Sequence, residues 1–212
     1  HFSIQHEFNQ TKANTIKNFI NFLRFSFRLK CDDVLLISGS LRKSTLDSVS
    51  LLNYLKDNTH IIEGLKPIGV AYNPYLPEVF SVDELIRLES KLCSGLVGSI
   101  WLQFGTDYTL LDKKVITLKT ILNSYHKANP NTFKIKLYGS ILIPTKLFNA
   151  RFKFRPWKGV YCSDSFLNSL DYANEIIYKI LTIYKLYGIR PVIETDTYSE
   201  KNLSSIKRFI DI

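Results

Sequence analysis

Residues Leu88–Asp107, LESKLCSGLVGSIWLQFGTD, decide how this chain folds. Leu85, Leu88 and Leu92 recur at the spacing of one helical face. Ser94-Gly95 then breaks the helix, because glycine accepts backbone angles that end helices. Gly98–Phe104 follows as a largely apolar run, the pattern of a strand covered on both faces. That strand carries a polar amide, Gln103, toward its C-terminal end. In α/β folds ligands bind beyond the C-terminal ends of the strands. The segment is therefore one helix–turn–strand unit with a candidate binding group at its end.

The same unit recurs outward in both directions. Phe2–Glu7 is a short alternating run, strand-like. Thr11–Leu29 places Ile16, Phe19, Ile20, Leu23 and Phe27 on one helical face, and Asp32-Asp33 ends it. Val34–Ile37 reads as a buried strand closed by the loop Ser38-Gly39-Ser40. Ser48–Lys56 is a helix, Pro67–Tyr72 a strand, and Val82–Leu92 the helix that leads into the opening segment. Beyond it, Leu111–Tyr125 is a helix and Lys134–Ile143 a strand. Phe166–Tyr187 reads as the longest helix, Ile189–Glu194 as the last strand, and Ser199–Phe209 as a final helix. Alternating strands and helices predict a parallel sheet in one domain spanning residues 1–212. A doubly wound sheet and a β/α barrel both satisfy the pattern. No GxGxxG follows the first strand and no phosphate-binding P-loop motif is present.

Composition narrows the classes. Hydrophobic residues make up 45% and aromatics 13%, enough for a sizeable core. The net charge is +9, from 28 Lys+Arg against 19 Asp+Glu. Such an excess suits a phosphorylated cofactor, an acidic substrate or RNA, and equally a solvated basic surface. The densest basic stretches, Lys12–Lys30 and Lys146–Lys158, are interleaved with Phe and Trp. In the second, KLFNARFKFRPWK, the aromatics either stack on bases or pack inward. Cys31, Cys93 and Cys162 lie far apart with no CxxC, against a disulfide framework or a zinc site. That usage fits a reducing compartment, cytosol or mitochondrial matrix. The best membrane candidate, Ile176–Ile189, is interrupted by Lys179 and Lys185, so no membrane span is expected. Methionine is absent, position 1 included, so further residues are expected upstream.

The polar residues at the predicted strand ends are the site candidates: His6 and Glu7; Ser38, Gly39 and Ser40; Tyr72 and Asn73; Gln103 and Asp107; Thr145 and Lys146; Glu194, Thr195 and Asp196. Gln103 offers a donor and an acceptor to a planar heterocycle, or is a satisfied buried amide. Ser38-Gly39-Ser40 offers backbone N–H groups to a phosphate. Lys91, in the last turn of its helix, belongs near the opposite end of the fold unless that helix is displaced. Neither a Ser/His/Asp nor a Cys/His set can be placed.

Taken in order, these segments resemble the methylenetetrahydrofolate reductase family, a flavin-dependent β/α barrel. Gln5-His6-Glu7 looks like the family's Pro-His-Leu-Thr strand, and LLISGS stands where it has Leu-Arg-Gly-Asp. GVAYNPYLPE looks like Ala-Tyr-Pro-Glu-x-His-Pro-Glu. SKLCSGLVGSIWLQFGTD is similar to Lys-x-x-x-Gly-Ala…Thr-Gln-Phe-Phe-x-Asp. YGSILIP resembles Pro-Gly-Ile-x-Pro, and YKLYGIRPVIETDTYSE is similar to the last strand and its Tyr-Thr-Leu-Asn loop. The resemblance implies a (β/α)8 TIM-type barrel with six of eight β/α units visible, the first two and their acid-bearing Glu-Phe-Phe-Pro-Pro motif not among them. It implies FAD as cofactor, held by His6, Ser38, Gly39, Ser40 and Lys91. It also implies a folate-type substrate on Gln103. Four departures matter: the family's loop histidine is Leu76 or absent here, its Tyr-Thr-Leu-Asn loop is Asp-Thr-Tyr, and two charged positions are lost. Ser38 and Ser40 replace an Arg and an Asp, so neither the phosphate fork nor the charge near the flavin is supplied. The functions that follow are a flavoprotein passing hydride to a methylenetetrahydrofolate-type substrate, or a degenerate, non-catalytic member serving as a structural or assembly partner in a protein or RNA-containing complex. Homo- and hetero-oligomers both remain open, and a nucleic-acid module led by KLFNARFKFRPWK ranks third.

Overall fold

The computed structural model describes residues 1–7, 9–39, 46–62, 67–195, 206, 207 and 209. It is an α/β protein. Six strands, β1 (Phe2–Ser3), β2 (Val34–Ile37), β3 (Ile68–Tyr72), β4 (Val97–Leu102), β5 (Lys136–Leu142) and β6 (Arg190–Glu194), form a parallel sheet in chain order. The helices are α1 (Lys12–Arg28), α2 (Ser48–Asp57), α3 (Glu78–Leu92), α4 (Tyr108–Ala128), α5 (Lys146–Phe154), α6 (Asp164–Asn168) and α7 (Leu170–Tyr187). The chain divides into two compact units. One comprises His1–Tyr72, Glu78–Trp101 and Thr120–Lys136; the other comprises Asn73–Pro77, Leu102–Lys119 and Leu137–Ile212.

In the first unit the register pairs Val34 with Ile68 and Leu36 with Val70, so these side chains share a face, and all four are buried. Helix α3 packs on β3 and α2 on α3. Their Leu51, Leu52, Leu55, Leu88 and Leu92 are closed to solvent, each worth about 1.5–3 kcal/mol of burial. Phe2 of β1 stacks against Phe19 and Phe22 of α1, with ring centroids 5.0 and 5.5 Å apart. Helices α1 and α2 begin on side-chain caps. Thr11 Oγ1 accepts from the Asn14 N–H at 3.2 Å and Asp47 Oδ1 from the Ser50 N–H at 2.8 Å. Gly95, with φ +73°, turns α3 into β4 where the sequence places the break. A side chain at Gly98 would meet Pro67 Cβ at 2.0 Å, so close packing also requires that glycine.

In the second unit β5 and β6 pair from Tyr138↔Arg190 to Leu142↔Glu194. Helix α7 buries Ala173, Ile176, Ile177, Ile180, Leu181 and Tyr184. Gly188, with φ +64°, ends it in the left-handed conformation, donating to the Lys185 and Tyr184 carbonyls.

Three expectations are corrected. The strand expected over Phe2–Glu7 stops at Ser3, and Ile4–Glu7 forms a 3-10 turn that drives Ile4 into the core. The helix expected over Phe166–Tyr187 is two helices: Ser169 ends α6 and caps α7, its Oγ accepting from the Tyr172 N–H at 3.2 Å. The longest helix among the described residues is therefore α4, with 21 residues. KLFNARFKF, given no element from sequence, is helical, because Thr145 caps it and Phe148 and Phe152 lie one turn apart on its buried side. The expected helix Ser199–Phe209 falls almost wholly outside the described residues.

Candidate functional site

The first unit brings the ends of β1 and β2 together. Gly39 has φ +83°, and a Cβ there would lie 2.3 Å from Gln5 Oε1, so only glycine lets the β2 loop meet the β1 turn. His6, next to Gln5, is exposed on the 3-10 turn. Ser38 is already committed: its Oγ accepts from the Ser48 N–H and donates to Ser48 Oγ, both at 2.9 Å. It thereby anchors the start of α2. Ser40 lies outside the described residues.

Lys91 turns inward. Only 4% of it is exposed, and its Nζ donates to the Ala71 carbonyl of β3 at 2.9 Å. Burial lowers the pKa of its ammonium, with the Arg87 charge adding to the effect and Glu84 and Asp47 opposing it. The stem packs like an aliphatic chain while the head satisfies a backbone carbonyl.

An FAD pyrophosphate needs cations or clustered N–H donors. At the positions that the family resemblance assigns to it, the described residues offer an exposed histidine, a glycine, a serine engaged with Ser48 and a sequestered lysine. They do not fit that group.

Elsewhere in this unit Trp101 Nε1 donates to Ser99 Oγ at 2.9 Å over Gly69, and a Cβ on Gly69 would meet these two atoms at 2.8 and 2.6 Å. Ser99 is fully buried. Alternation along β4 puts Ser99 and Trp101 on one face, as their i, i+2 spacing in the sequence requires.

In the second unit Gln103 follows β4, and its Oε1 accepts from the Phe104 N–H at 3.2 Å. Several other candidates prove to be structural. Asp107 Oδ1 accepts from the Leu110 N–H at 2.8 Å and caps α4. Thr145 Oγ1 accepts from the Phe148 N–H at 3.0 Å and caps α5. Asn73 Nδ2 donates to the Gly159 carbonyl at 2.8 Å. Thr106 ties the segment after β4 to the one before α6: its N–H donates to the Tyr161 carbonyl at 3.0 Å and its Oγ1 accepts from the Ser163 N–H at 2.8 Å.

Among the described residues of this unit, two cavities bear on the candidates. One, of about 650 Å³, is an open hollow whose lining includes Asp107, Lys153, Tyr161, Cys162 and Asp164. Burial pushes the Cys162 thiol up to about 12, so the group is not poised as a nucleophile. Iodoacetamide at about pH 8 is expected to alkylate the exposed Cys93 at least about tenfold faster than Cys162, because only the thiolate reacts. Peptide mass mapping over time checks this; comparable rates would show an ionised Cys162.

The second cavity, of about 260 Å³, sits at the C-terminal ends of β5 and β6. Leu142, Glu194 and Thr195 come from the strand ends, and Phe148, Arg151, Phe152 and Trp157 from α5 and the loop after it. Trp157 meets Phe148 edge-on, with centroids 5.3 Å apart at 78°, and Phe152 at 6.1 Å and 65°. Sequence reasoning found Glu194 and Thr195 but missed Arg151 and the three aromatics as lining groups. The i, i+4 spacing of Phe148 and Phe152 was the available signal. Asp196 lies outside the described residues. Among the described residues no cluster of His, Cys, Asp or Glu is arranged to hold a metal ion, and no helix is long and apolar enough to cross a membrane. No family model matches the chain, and no curated protein matches it in sequence.

Proposed function

We propose that this chain is a methylenetetrahydrofolate reductase-like protein, built on part of a β/α barrel wall, that acts by binding rather than by flavin-mediated hydride transfer. The chain-order arrangement of six parallel strands supports a barrel over a doubly wound sheet, whose strand order reverses at a switch point. The observation that carries the non-catalytic reading is Lys91, whose buried ammonium donates to the Ala71 carbonyl and has the chain's own Glu84 and Asp47 as its neighbouring carboxylates. Ser38, at the place of an arginine in the family, is engaged with Ser48 in the same way. On this reading the protein is a structural or assembly partner. The purified protein is expected to be colourless, and titration with FAD to leave the flavin fluorescence unquenched. Stoichiometric flavin absorbance, or reconstitution with FAD, would overturn it.

A flavin-dependent reductase of a methylenetetrahydrofolate-type substrate is the second reading, and Gln103 favours it. The amide nitrogen of Gln103 finds no hydrogen-bond acceptor among the described residues, which leaves it as a donor for the edge of a pterin. In that case FAD would have to be held by groups other than His6, Ser38, Gly39 and Lys91, and replacing Gln103 with alanine would raise the KM for the folate with little change in flavin content.

A further inference from the structure

The segment Lys146–Lys158 carries five cations, Lys146, Arg151, Lys153, Arg155 and Lys158, and no carboxylate. All five are exposed. Helix α5 turns Phe148 and Phe152 into the core and leaves Leu147 and Phe154 outside. Phe154 is 91% exposed and Trp157 52%, an unfavourable display of aromatic surface for a chain that meets only water. T-shaped contacts with Phe148 and Phe152 hold Trp157 in place at the rim of the 260 Å³ cavity.

From this arrangement we infer that α5 and the loop after it form a binding surface for single-stranded nucleic acid. Phe154 and Trp157 supply stacking faces, the flanking cations take phosphates, and the cavity beside Trp157 receives one unstacked base. Bases stack on exposed aromatics regardless of sequence, and a row of lysines and arginines tracks the backbone. The cavity wall separates this partner from an anionic membrane. Glu194 and Thr195 line it beside Arg151, and a carboxylate there accepts the amino or imino N–H of a base but repels a lipid phosphate. The surface adds a partner to the non-catalytic reading without resting on it: flavin content and nucleic-acid affinity are separate measurements, and either can fail alone.

The test is fluorescence anisotropy of the whole chain with a labelled oligouridylate of about 12 nucleotides, within the usual span of such sites. Binding is expected to weaken with salt, with a log–log slope of about −3 for four to five phosphate contacts. Phe154→Ala, at a side chain with almost no packing to lose, is expected to weaken binding about tenfold or more. Arg155→Gln is expected to reduce the slope by about 0.7. Circular dichroism confirms that each variant is folded. No binding at low salt overturns the inference. So does binding that Phe154→Ala leaves unchanged, or a preference for phosphatidylserine vesicles that the same two variants abolish.

Discussion

Gly139→Ala is expected to destabilise the fold by about 3 kcal/mol, the upper end of the usual cost of overpacking a core. A Cβ at Gly139 would lie 2.2 to 2.5 Å from Cζ, Cε2 and the hydroxyl of Tyr184. Tyr184 is 1% exposed, between the helix α7 that carries it and the strand β5 beneath, so the ring has no solvent to move into. Its hydroxyl also donates to the Ser140 carbonyl at 3.3 Å, which ties the ring to the strand that would have to yield. The melting temperature should fall by about 6–12 °C for a chain of this size. Urea denaturation followed by circular dichroism measures the loss. Tyr184→Leu costs stability alone, but combined with Gly139→Ala it should recover part of the loss, because the ring tip that collides is gone. A Gly139→Ala variant within about 0.5 kcal/mol of the parent would mean that the strand and helix are not in close contact.

Lys91 yields the second large effect, and it separates packing from charge. Lys91→Ala is expected to cost about 2–3 kcal/mol, since it empties the volume of a buried four-carbon stem and removes the donor from the Ala71 carbonyl. Lys91→Met keeps most of that volume and discards a charge that burial disfavours, so it is expected to fall close to the parent at neutral pH. The pH dependence has a definite sign. Burial foremost, then Arg87, lowers the folded-state pKa of Lys91 below its ordinary 10.5, against Glu84 and Asp47, which raise it. Between the lowered value and 10.5 the unfolded chain therefore binds more protons than the folded one. The penalty for burying the charge is complete below that window and disappears as pH climbs through it. The stability of the parent should thus rise relative to Lys91→Met as pH approaches 10.5. Parallel denaturation curves for the two proteins across the alkaline range check this. A constant difference would show a lysine that titrates as it does in water. If the ammonium instead held a flavin phosphate, Lys91→Met would lower flavin content, a change the non-catalytic reading does not allow.

Much of the fold could be read before the structure, and the reasons are local. The apolar stripe of Ile16, Phe19 and Leu23 marks α1, because only a helix places those positions on one face, and all three are buried. Ser94-Gly95 marks the turn, because a left-handed backbone favours glycine. The misreadings arise where longer-range packing overrides a short pattern. Phe2–Glu7 alternates like a strand, yet the burial of Ile4 draws the chain into a turn after two strand residues. Phe166–Tyr187 has an unbroken helical period, yet Ser169 holds extended backbone angles and restarts the helix with its own hydroxyl.

The candidate site was less legible for a related reason. Ser38, Asn73, Asp107 and Thr145 stand at or just beyond strand ends, where ligands bind, and those are also the places where helices begin and loops need clamping. Short polar side chains serve either purpose, and the choice depends on which backbone N–H or carbonyl comes within reach. Here Ser48, Gly159, Leu110 and Phe148 claim them.

By itself the sequence determined the class of the fold: hydrophobic period, glycine turns and alternation of elements specify parallel strands separated by helices, because those signals act within a few residues. It also determined the basic, aromatic character of Lys146–Lys158. Only the tertiary structure decided which of those aromatics face out, that the Lys91 ammonium is directed at a carbonyl, and that Arg151 and Trp157 join Glu194 around one cavity. Those outcomes depend on groups distant in the chain meeting in space, where desolvation and close packing select one partner among several that the local sequence permits.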